Sequence, residues 1–316
     1  MPSAASKSWI ERHDLEHPLG NPEPRDAAMK ICPQCSNEIS DSGWLCPACH
    51  WNAQFAGAIP ILGTRPPEEG EGFSASYFEE LASLEAGNFW FRARNELLLW
   101  SAEQFLGNAR SFLEVGCGTG FVLQALHKRF PDLGLTGSEL FIEGLGFAAK
   151  RLPGVNLIQM DALNIPFRGH FDAIGAFDVI EHIADDRRAL QEFHKALAPG
   201  GRLFLTVPQH PWLWSVNDEH AHHQRRYARQ ELCSKVRDAG FAIRRTTSFV
   251  SLLLPLMAMS RRKRDMQAQF DPLEEFRIAP WKQRILERIM HAERLSIRIG
   301  LRFPMGGSLL LVAERS

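Results

Sequence analysis

Two cysteine pairs near the N-terminus have the spacing of a metal site. Each pair has the form C-P-x-C and ten residues separate them, giving Cys32 and Cys35, then Cys46 and Cys49. A C-x-x-C turn presents two thiolates, so two turns complete a closed tetrahedral set of sulfur ligands. Because catalytic zinc keeps an open position, the pattern predicts a zinc ribbon whose zinc is structural. Iron in the same sulfur site is the alternative.

A glycine-rich segment, F-L-E-V-G-C-G-T-G, occupies residues 112–120 between a hydrophobic run and a helical pattern. Gly116, Gly118 and Gly120 let the backbone bend sharply and let a ligand lie against main-chain atoms. The following helix N-terminus offers N–H groups and a positive dipole end to an anionic group. An acidic residue about 20 positions further on binds ribose in nucleotide sites, and Glu139 has this position. This segment alone fits a nicotinamide cofactor as well.

Acid–base candidates cluster in the segment D-V-I-E-H, which is residues 178–182. If a helical turn begins at Asp178, then Glu181 and His182 follow at i+3 and i+4 on the same face. His182 would serve as a general base that removes a proton from a nucleophile. The alternative is that the two acids cap and brace a strand–helix turn.

A loop rich in histidine and aromatic residues occupies residues 208–227, after the fifth predicted strand. Ligands of α/β proteins bind at this carboxyl edge of the sheet. Aromatic side chains would flank a substrate, and an arginine would pair with an acidic group on it. The alternatives are a second metal site and a solvated loop. The expected substrate contacts are His210, Trp212, Trp214, His220, Arg226 and Tyr227.

Alternating strand and helix patterns predict the scaffold that positions these groups. Parallel strands joined by helices give a Rossmann-like, doubly wound α/β sheet of seven strands, preceded by the small N-terminal zinc ribbon. The predicted strands are 111–115, 133–138, 155–160, 171–177, 202–207, 241–247 and 308–313. The predicted helices of this domain include 121–130, 141–151, 187–198, 229–239 and 282–299.

The same patterns predict the domain organisation. The N-terminal segment has no apolar run typical of a secretory signal, so paired cysteines favour metal over disulfides and a cytoplasmic location. The predicted divisions are a disordered lead at 1–29, the zinc ribbon at 30–62, a linker at 63–75 and the main domain at 76–316. Lid insertions are expected around 209–228 and 248–300.

Charge and hydropathy limit the partners of the chain. The net charge is −1, yet residues 221–316 hold 19 Lys and Arg against 9 Asp and Glu. Such a region meets phosphates, an anionic membrane or an acidic substrate, or forms a solvated surface. Residues 248–259 are apolar but too short to span a bilayer, so no transmembrane segment is expected. With the basic residues after them, 248–264 either contact a membrane peripherally or cover the substrate pocket.

The motif series resembles the class I S-adenosylmethionine-dependent methyltransferases. The matching motifs are, in order, E-V-G-C-G-T-G, G-S-E, M-D-A-L-N-I-P-F, F-D-V-I-E-H and L-A-P-G-G. The resemblance covers about residues 76–250 and implies S-adenosyl-L-methionine as cofactor. It places the methionine part at Glu114 and Gly116, and the ribose at Glu139. The other implied cofactor residues are Cys117, Gly118, Gly120 and Leu140, with Asp161 and Ala162 at the adenine, and Phe177 and Asp178 beside the methyl group.

The D-V-I-E-H segment also resembles the ubiquinone-pathway O-methyltransferases, in which acidic residues and a histidine at matching positions hold a divalent cation. The resemblance implies that Asp178, Glu181 and His182 bind such a cation, which would acidify an acceptor hydroxyl. The leading hypothesis is therefore O-methylation of a small molecule or lipid intermediate.

Two other functions stay open. The ribbon resembles the small zinc ribbons that act as partner subunits or attached domains of tRNA and other methyltransferases, so it either is structural or recruits a partner. A zinc ribbon also begins some rRNA methyltransferases, and this resemblance implies RNA as an alternative substrate. Against RNA, residues 30–62 are not basic, and the N-P-P-[YF] motif of base-amine methyltransferases is absent after the fourth strand. The second alternative is a scaffold that binds the cofactor without turnover.

Overall fold

The computed structural model describes residues 29–39, 43–63, 77–264 and 278–316 of the 316-residue chain. The predicted lead at 1–29 and linker at 63–75 lie outside these residues except for Met29 and Gly63, so both assignments stay predictions.

The described residues form two β-sheets and a set of flanking helices. The strands are β1 (Met29–Ile31), β2 (Glu38–Ile39), β3 (Gln54–Ala56), β4 (Ile59–Ile61), β5 (Ser111–Val115), β6 (Gly134–Glu139), β7 (Asn156–Gln159), β8 (Phe167–Arg168), β9 (Phe171–Phe177), β10 (Leu197–Pro208), β11 (Phe241–Phe249) and β12 (Ser308–Arg315). The helices are α1 (Tyr77–Leu84), α2 (Phe89–Phe105), α3 (Phe121–Arg129), α4 (Ile142–Arg151), α5 (Asp186–Ala196), α6 (Val216–His220), α7 (Arg229–Asp238), α8 (Leu254–Arg264) and α9 (Pro280–Arg298). Two 3-10 turns are Ile180–His182 and Pro211–Leu213.

The main sheet has the order β11-β12-β10-β9-β5-β6-β7-β4-β3. Its central strands pair in parallel, whereas β12 lies antiparallel between β10 and β11. Alternate residues of β5 enter opposite cores, with Phe112 in one apolar cluster and Leu113 and Val115 in the other. This alternation places helices over both faces of the sheet. The predicted Rossmann-like α/β fold is therefore confirmed.

All seven predicted strands are present, and β10 differs most from its predicted bounds. It begins at Leu197, which pairs with Phe171 before the register shifts to the pair Arg202–Ala173. The intervening Pro199-Gly200-Gly201 segment forms an irregularity within the strand.

The ribbon extends the main sheet, which the prediction of seven strands did not include. Strand β4 pairs in parallel with β7 at Ile61 and Gln159, and β3 adds an outer antiparallel strand. On its other side the ribbon pairs β1 with β8, giving the small sheet β2-β1-β8. A free edge such as that of β7 offers unpaired N–H and C=O groups, which the ribbon satisfies.

The helices outside the motif series lie over the carboxyl edge and one face. Helix α2 packs on α9, and the Phe89 amide donates to the side chain of Gln283 over 2.8 Å. Helix α8 begins at Leu254, so Pro255 lies in its first turn, where proline is tolerated, and does not kink the helix. Among the described helices, each is too short or too polar to cross a membrane.

Candidate functional site

The glycine segment turns from β5 into α3 through left-handed backbone. Gly116, Gly118 and Gly120 have φ angles of 70°, 51° and 76°. A Cβ on Gly116 would lie 2.5 Å from a methyl carbon of Val179, so the loop also packs closely on the segment after β9. Both observations explain why glycine is needed here.

Buried carboxylates surround this loop. Glu114 at the end of β5 is 2% exposed, and among the described residues its Oε2 atom has no hydrogen-bond partner. Burial raises the pKa of Glu114 well above its usual value, and the nearby Glu139 and Glu85 carboxylates add to this effect while Arg94 opposes it. An acidic pocket of this kind is complementary to a cationic ligand.

Glu139 lies at the end of β6, across the glycine loop. Its side chain accepts hydrogen bonds from the Gly118 amide over 3.0 Å and the Leu140 amide over 2.8 Å. Burial raises the pKa of Glu139, while these backbone donors lower it. The predicted loop residues Cys117 and Gly120 lie in the same turn, where the Gly120 amide donates to the Cys117 carbonyl over 2.8 Å.

The first helix closes this side of the site through a polar network that the sequence did not indicate. Glu85, just after α1, accepts from the Thr119 hydroxyl over 2.7 Å and from Arg151 over 2.9 Å. Phe78 of α1 lies over the loop, 3.7 Å from the position of a Cβ on Gly118. Helix α1 therefore covers the glycine loop.

The predicted adenine residues lie beside the ribbon. The Asp161 carboxylate accepts from the Leu163 amide over 2.8 Å, and Ala162 packs against the core that includes the ribbon. The Gln159 side chain donates to the Leu140 carbonyl over 2.9 Å and accepts from the Gly63 amide over 2.9 Å. Gln159 thus links the end of the ribbon to Leu140, which follows the predicted ribose residue Glu139.

Arg94 of α2 is a site residue that the sequence analysis missed. It forms an ion pair with Asp178, and its guanidinium lies 4.7 Å from the ring centroid of Trp90. Asp178 has a left-handed φ of 58° and precedes the 3-10 turn that contains Glu181. The prediction that Asp178 shares a helical face with the other acid is therefore wrong, because Asp178 turns toward Arg94. Phe177 is buried at the end of β9.

Glu181 and His182 meet a third residue, His223, from the histidine-rich loop. Glu181 is fully buried, and the rings of His182 and His223 are edge-to-face with centroids 4.7 Å apart. Burial lowers the pKa of His182 to about 3. Such a ring is neutral at ordinary pH and a weak general base, since an efficient base has a pKa near the working pH.

The histidine-rich loop is organised by Asp218, which the sequence analysis also missed. Asp218 accepts from Arg226 over 2.7 Å, from the Ser215 amide over 2.9 Å, and contacts His223 Nδ1 at 2.8 Å. Its pKa is lowered to about 2, because these donors outweigh the cost of burial. The S-V-N-D capping box was the sequence signal for it.

The predicted substrate residues separate into two groups. Arg226 is bound to Asp218, and the fully buried Tyr227 donates from its hydroxyl to Asp186 over 2.7 Å. These two side chains stabilise the loop from within. The other four remain at least partly accessible, namely His210, Trp212, Trp214 and His220.

The four ribbon cysteines lie close together, as predicted. Their ligand atoms lie within 4.8 Å of one another, with Sγ separations of 3.6 Å for Cys32–Cys49 and 3.5 Å for Cys35–Cys46. Tetrahedral zinc with Zn–S bonds of about 2.3 Å places its sulfurs at about 3.8 Å. The thiols therefore fit a four-coordinate metal.

Comparison with known proteins gives one family and several partial relatives. A family model described as "Methyltransferase domain" matches residues 83–246, just over half of the chain. The ubiquinone biosynthesis O-methyltransferase of Psychrobacter arcticus is 32% identical over 111 residues, 32% of this chain and 42% of that protein. The probable tRNA methyltransferase 9B of Bos taurus is 30% identical over 156 residues, 48% of this chain and 30% of that protein. The chain spans less than half the length of both relatives.

A solved structure supports the fold. The [4+2]-cyclase SpnF aligns with a TM-score of 0.54 and 20% identity, covering 80% of this chain and 98% of that chain. At this identity the likeness concerns the fold alone.

Proposed function

Because the chain belongs to the family of methyltransferase domains, we propose that it transfers a methyl group from S-adenosylmethionine to an acceptor. The observation that carries this proposal is the acidic pocket around the glycine loop, above all the unsatisfied Oε2 atom of Glu114. A buried carboxylate oxygen without a donor calls for a partner, and the cofactor's ammonium group is such a donor.

The residues around the loop fit the parts of the cofactor. The bound cofactor supplies a methyl group on a sulfonium, which leaves readily as a thioether. Glu114 would accept from the ammonium group and Glu139 from the ribose hydroxyls, while Asp161 and Ala162 would border the adenine. The helix α3 N-terminus would face the carboxylate. Phe177 and Asp178 would then lie beside the methyl group and exclude water from it.

The proposed acceptor is a small molecule or lipid intermediate, methylated on oxygen. An O-methyltransferase relative supports it, as do exposed apolar side chains near the site. Leu252 lies just before α8, and Leu256 and Met259 lie three residues apart within it; their exposed fractions are 49%, 53% and 58%. A surface of this pattern, followed by basic residues, suits peripheral contact of 248–264 with a lipid surface. The alternative, in which 248–264 cover the substrate pocket, requires these side chains to be buried.

A structural zinc ion in the ribbon belongs to the same proposal. Four thiolates at tetrahedral separations support it, and a full set of protein ligands leaves no position for substrate. Metal analysis should find about one zinc per chain, lost in Cys46→Ser; a value near zero for the wild type would contradict it.

Calorimetric titration with S-adenosylhomocysteine tests the cofactor site. Gly118→Val should abolish binding, because its left-handed φ of 51° is strained for a β-branched residue whatever the space around it. Gly146→Ala is the matched control, since a Cβ there meets nothing within 4 Å. Unchanged affinity of Gly118→Val would refute the loop assignment.

RNA is the second candidate acceptor, favoured by the tRNA methyltransferase relative. RNA binding through the ribbon and the basic C-terminal third should weaken steeply with salt. Salt-independent or undetectable binding of tRNA and rRNA fragments would remove this candidate. Release of S-adenosylhomocysteine with small acceptors separates the enzyme from a scaffold without turnover.

A further inference from the structure

The outer face of α9 exposes large apolar side chains next to a cavity lined by basic residues. We propose that this face binds an anionic lipid surface, where the apolar side chains enter the interface and the cavity takes the phosphate of a headgroup. The inference concerns α9 rather than residues 248–264, and it does not depend on methyl transfer.

Four large side chains form an apolar ridge along α9. The ridge consists of Trp281, Ile285, Leu295 and Ile299. Successive members are separated by four, ten and four residues, so they share one side of the helix. Their exposed fractions lie between 46% and 82%. The opposite side is apolar too, with Met290 and Ile297 buried in the core. Because a helix that is apolar on both sides is normally covered on both, the ridge indicates an interaction surface.

Exposed apolar side chains are concentrated in this part of the sequence. Of the thirteen large hydrophobic side chains that are exposed among the described residues, nine lie between positions 252 and 305. Scattered exposed apolar residues are ordinary in a folded protein, whereas a concentration of them marks a surface that binds another molecule or a membrane.

The charges of α9 favour an anionic partner. The exposed basic residues of the helix and of the segment just after it are Lys282, Arg284, Arg288, Arg298 and Arg302. The two acidic residues of α9 do not balance them on this face, because Glu287 pairs with Arg92 over 3.0 Å and Glu293 is only 1% exposed. Tryptophan and aliphatic side chains beside arginine and lysine are typical of helices that lie in a membrane interface.

A cavity of about 330 Å³ lies between α2 and α9, next to the ridge. From α9 it is lined by Arg284, Glu287, Arg288, His291 and Arg294, and from α2 by Ala93 and Glu96. Both acids are neutralised, since Arg294 pairs with Glu96 and Arg92 pairs with Glu287. Arg284 and Arg288 form no ion pair with the described residues, and they lie one helical turn apart. Two such guanidinium groups can bind one phosphate together.

The combination of ridge and cavity distinguishes a lipid surface from other partners. RNA would contact the arginines, but isoleucine and leucine side chains offer its bases neither stacking nor hydrogen bonds. A second copy of this chain in a two-fold interface would bring the same basic residues together. An anionic bilayer fits both features, because its headgroups attract arginine and its acyl boundary accepts apolar side chains.

Helix α8 provides less charge for headgroups than its sequence predicts. Arg261, the first of the four basic residues that end this helix, turns inward and donates to the Leu213 carbonyl and to the Asp218 carboxylate. Its charge is therefore used within the protein. Contact of 248–264 with a lipid surface would need a second basic surface, and α9 supplies one.

Co-sedimentation of the full chain with lipid vesicles tests the proposal. The wild type should bind vesicles of equal parts phosphatidylcholine and phosphatidylglycerol, more weakly at high salt, and should not bind phosphatidylcholine alone. Arg284→Gln/Arg288→Gln should weaken binding about 25-fold, since each basic residue near an anionic surface contributes about fivefold in affinity. Ile285→Ser/Leu295→Ser, which changes no charge, should weaken binding by at least about tenfold.

Each double variant has a matched control. Leu45→Ser/Phe55→Ser removes two apolar side chains of the ribbon that are 49% and 56% exposed, against 49% and 46% for the ridge pair. Arg110→Gln/Lys128→Gln removes two exposed positive charges outside α9. Both controls should bind vesicles like the wild type. The Tm and the S-adenosylhomocysteine affinity of all four variants should be unchanged, because every altered side chain lies at the surface.

Several results would overturn the proposal. Wild-type protein that binds neither vesicle, or binds both equally, contradicts it, and so does equal binding by the ridge variant and its ribbon control. A dimer that the ridge variant loses, in place of vesicle binding, would assign the ridge to a second copy of this chain. Binding of tRNA in place of vesicles, lost in the arginine variant alone, would assign the cavity to RNA. Intact S-adenosylhomocysteine binding in any of these cases leaves the proposed methyl transfer standing.

Discussion

Glu114→Gln is expected to weaken cofactor binding without lowering folding stability. The carboxylate is 2% exposed and holds an unsatisfied oxygen. A hydrogen bond to a charged group contributes about 1.5–3 kcal/mol, so losing the bond to the cofactor ammonium should weaken binding about 10–150-fold. Stability of the cofactor-free protein should be equal or higher, because the amide needs no ionisation in a desolvated pocket.

Protonation gives the same prediction a second readout. Burial raises the pKa of Glu114 in the cofactor-free protein, so below that pKa the group is protonated, and a cationic ligand must expel the proton. Wild-type affinity should therefore rise with pH up to the raised pKa, with about one proton released on binding. Glu114→Gln should show neither effect.

Isothermal titration with S-adenosylhomocysteine, in two buffers of different ionisation enthalpy, measures affinity and proton release together. Urea unfolding supplies the stability. Glu103→Gln is the control, since Glu103 is an exposed residue of α2 that forms an ion pair with Arg129. Equal affinity in Glu114→Gln, or a parallel loss of stability and affinity, would refute the role assigned to this carboxylate.

Three further perturbations test the surroundings of the site. Arg94→Ala should lower the free energy of unfolding in urea by about 3 kcal/mol, because it leaves the largely buried Asp178 without its partner. Arg92→Ala is the control and should cost under about 1 kcal/mol, since the side chains of Arg92 and its partner Glu287 are 36% and 44% exposed. Cys46→Ser should weaken S-adenosylhomocysteine binding in calorimetry as well as lower the Tm, and a lower Tm with full affinity would show that the ribbon does not support the cofactor site. Tyr227→Phe should cost about 1–3 kcal/mol of stability and leave the acceptor KM unchanged; a higher KM at unchanged stability would place Tyr227 at the substrate.

The scaffold was predictable because its signals are local. Strand β5 contains the buried apolar residues Phe112, Leu113 and Val115, and the glycines after it have the left-handed φ angles that only glycine adopts easily. The four cysteines likewise carry their spacing in the sequence. Each of these inferences depends on neighbours within a few residues, so the amino-acid sequence is sufficient for them.

The polar connections were not predictable, because they join residues far apart in sequence. Arg94 and Asp178 are 84 positions apart in the sequence, and no pattern near either residue predicts their ion pair. Residue type also predicted a substrate contact for Tyr227, because it is an aromatic residue in a polar loop. Its hydroxyl instead satisfies Asp186 inside the core. Residue type indicates what a side chain can bind, whereas the tertiary fold decides which partner it meets.

The position of the ribbon connects the proposed zinc ion to the proposed cofactor site. Strand β4 pairs with β7 just before the predicted adenine segment, and the Ile31 amide bonds to the Pro166 carbonyl, 3.0 Å away, just after it. The ribbon therefore holds both ends of the segment that contains Asp161. A metal held by the four thiolates would fix the ribbon's own turns, so its removal should loosen both attachments together. A ribbon that merely recruited a partner would not need to be bonded on both sides of the adenine segment.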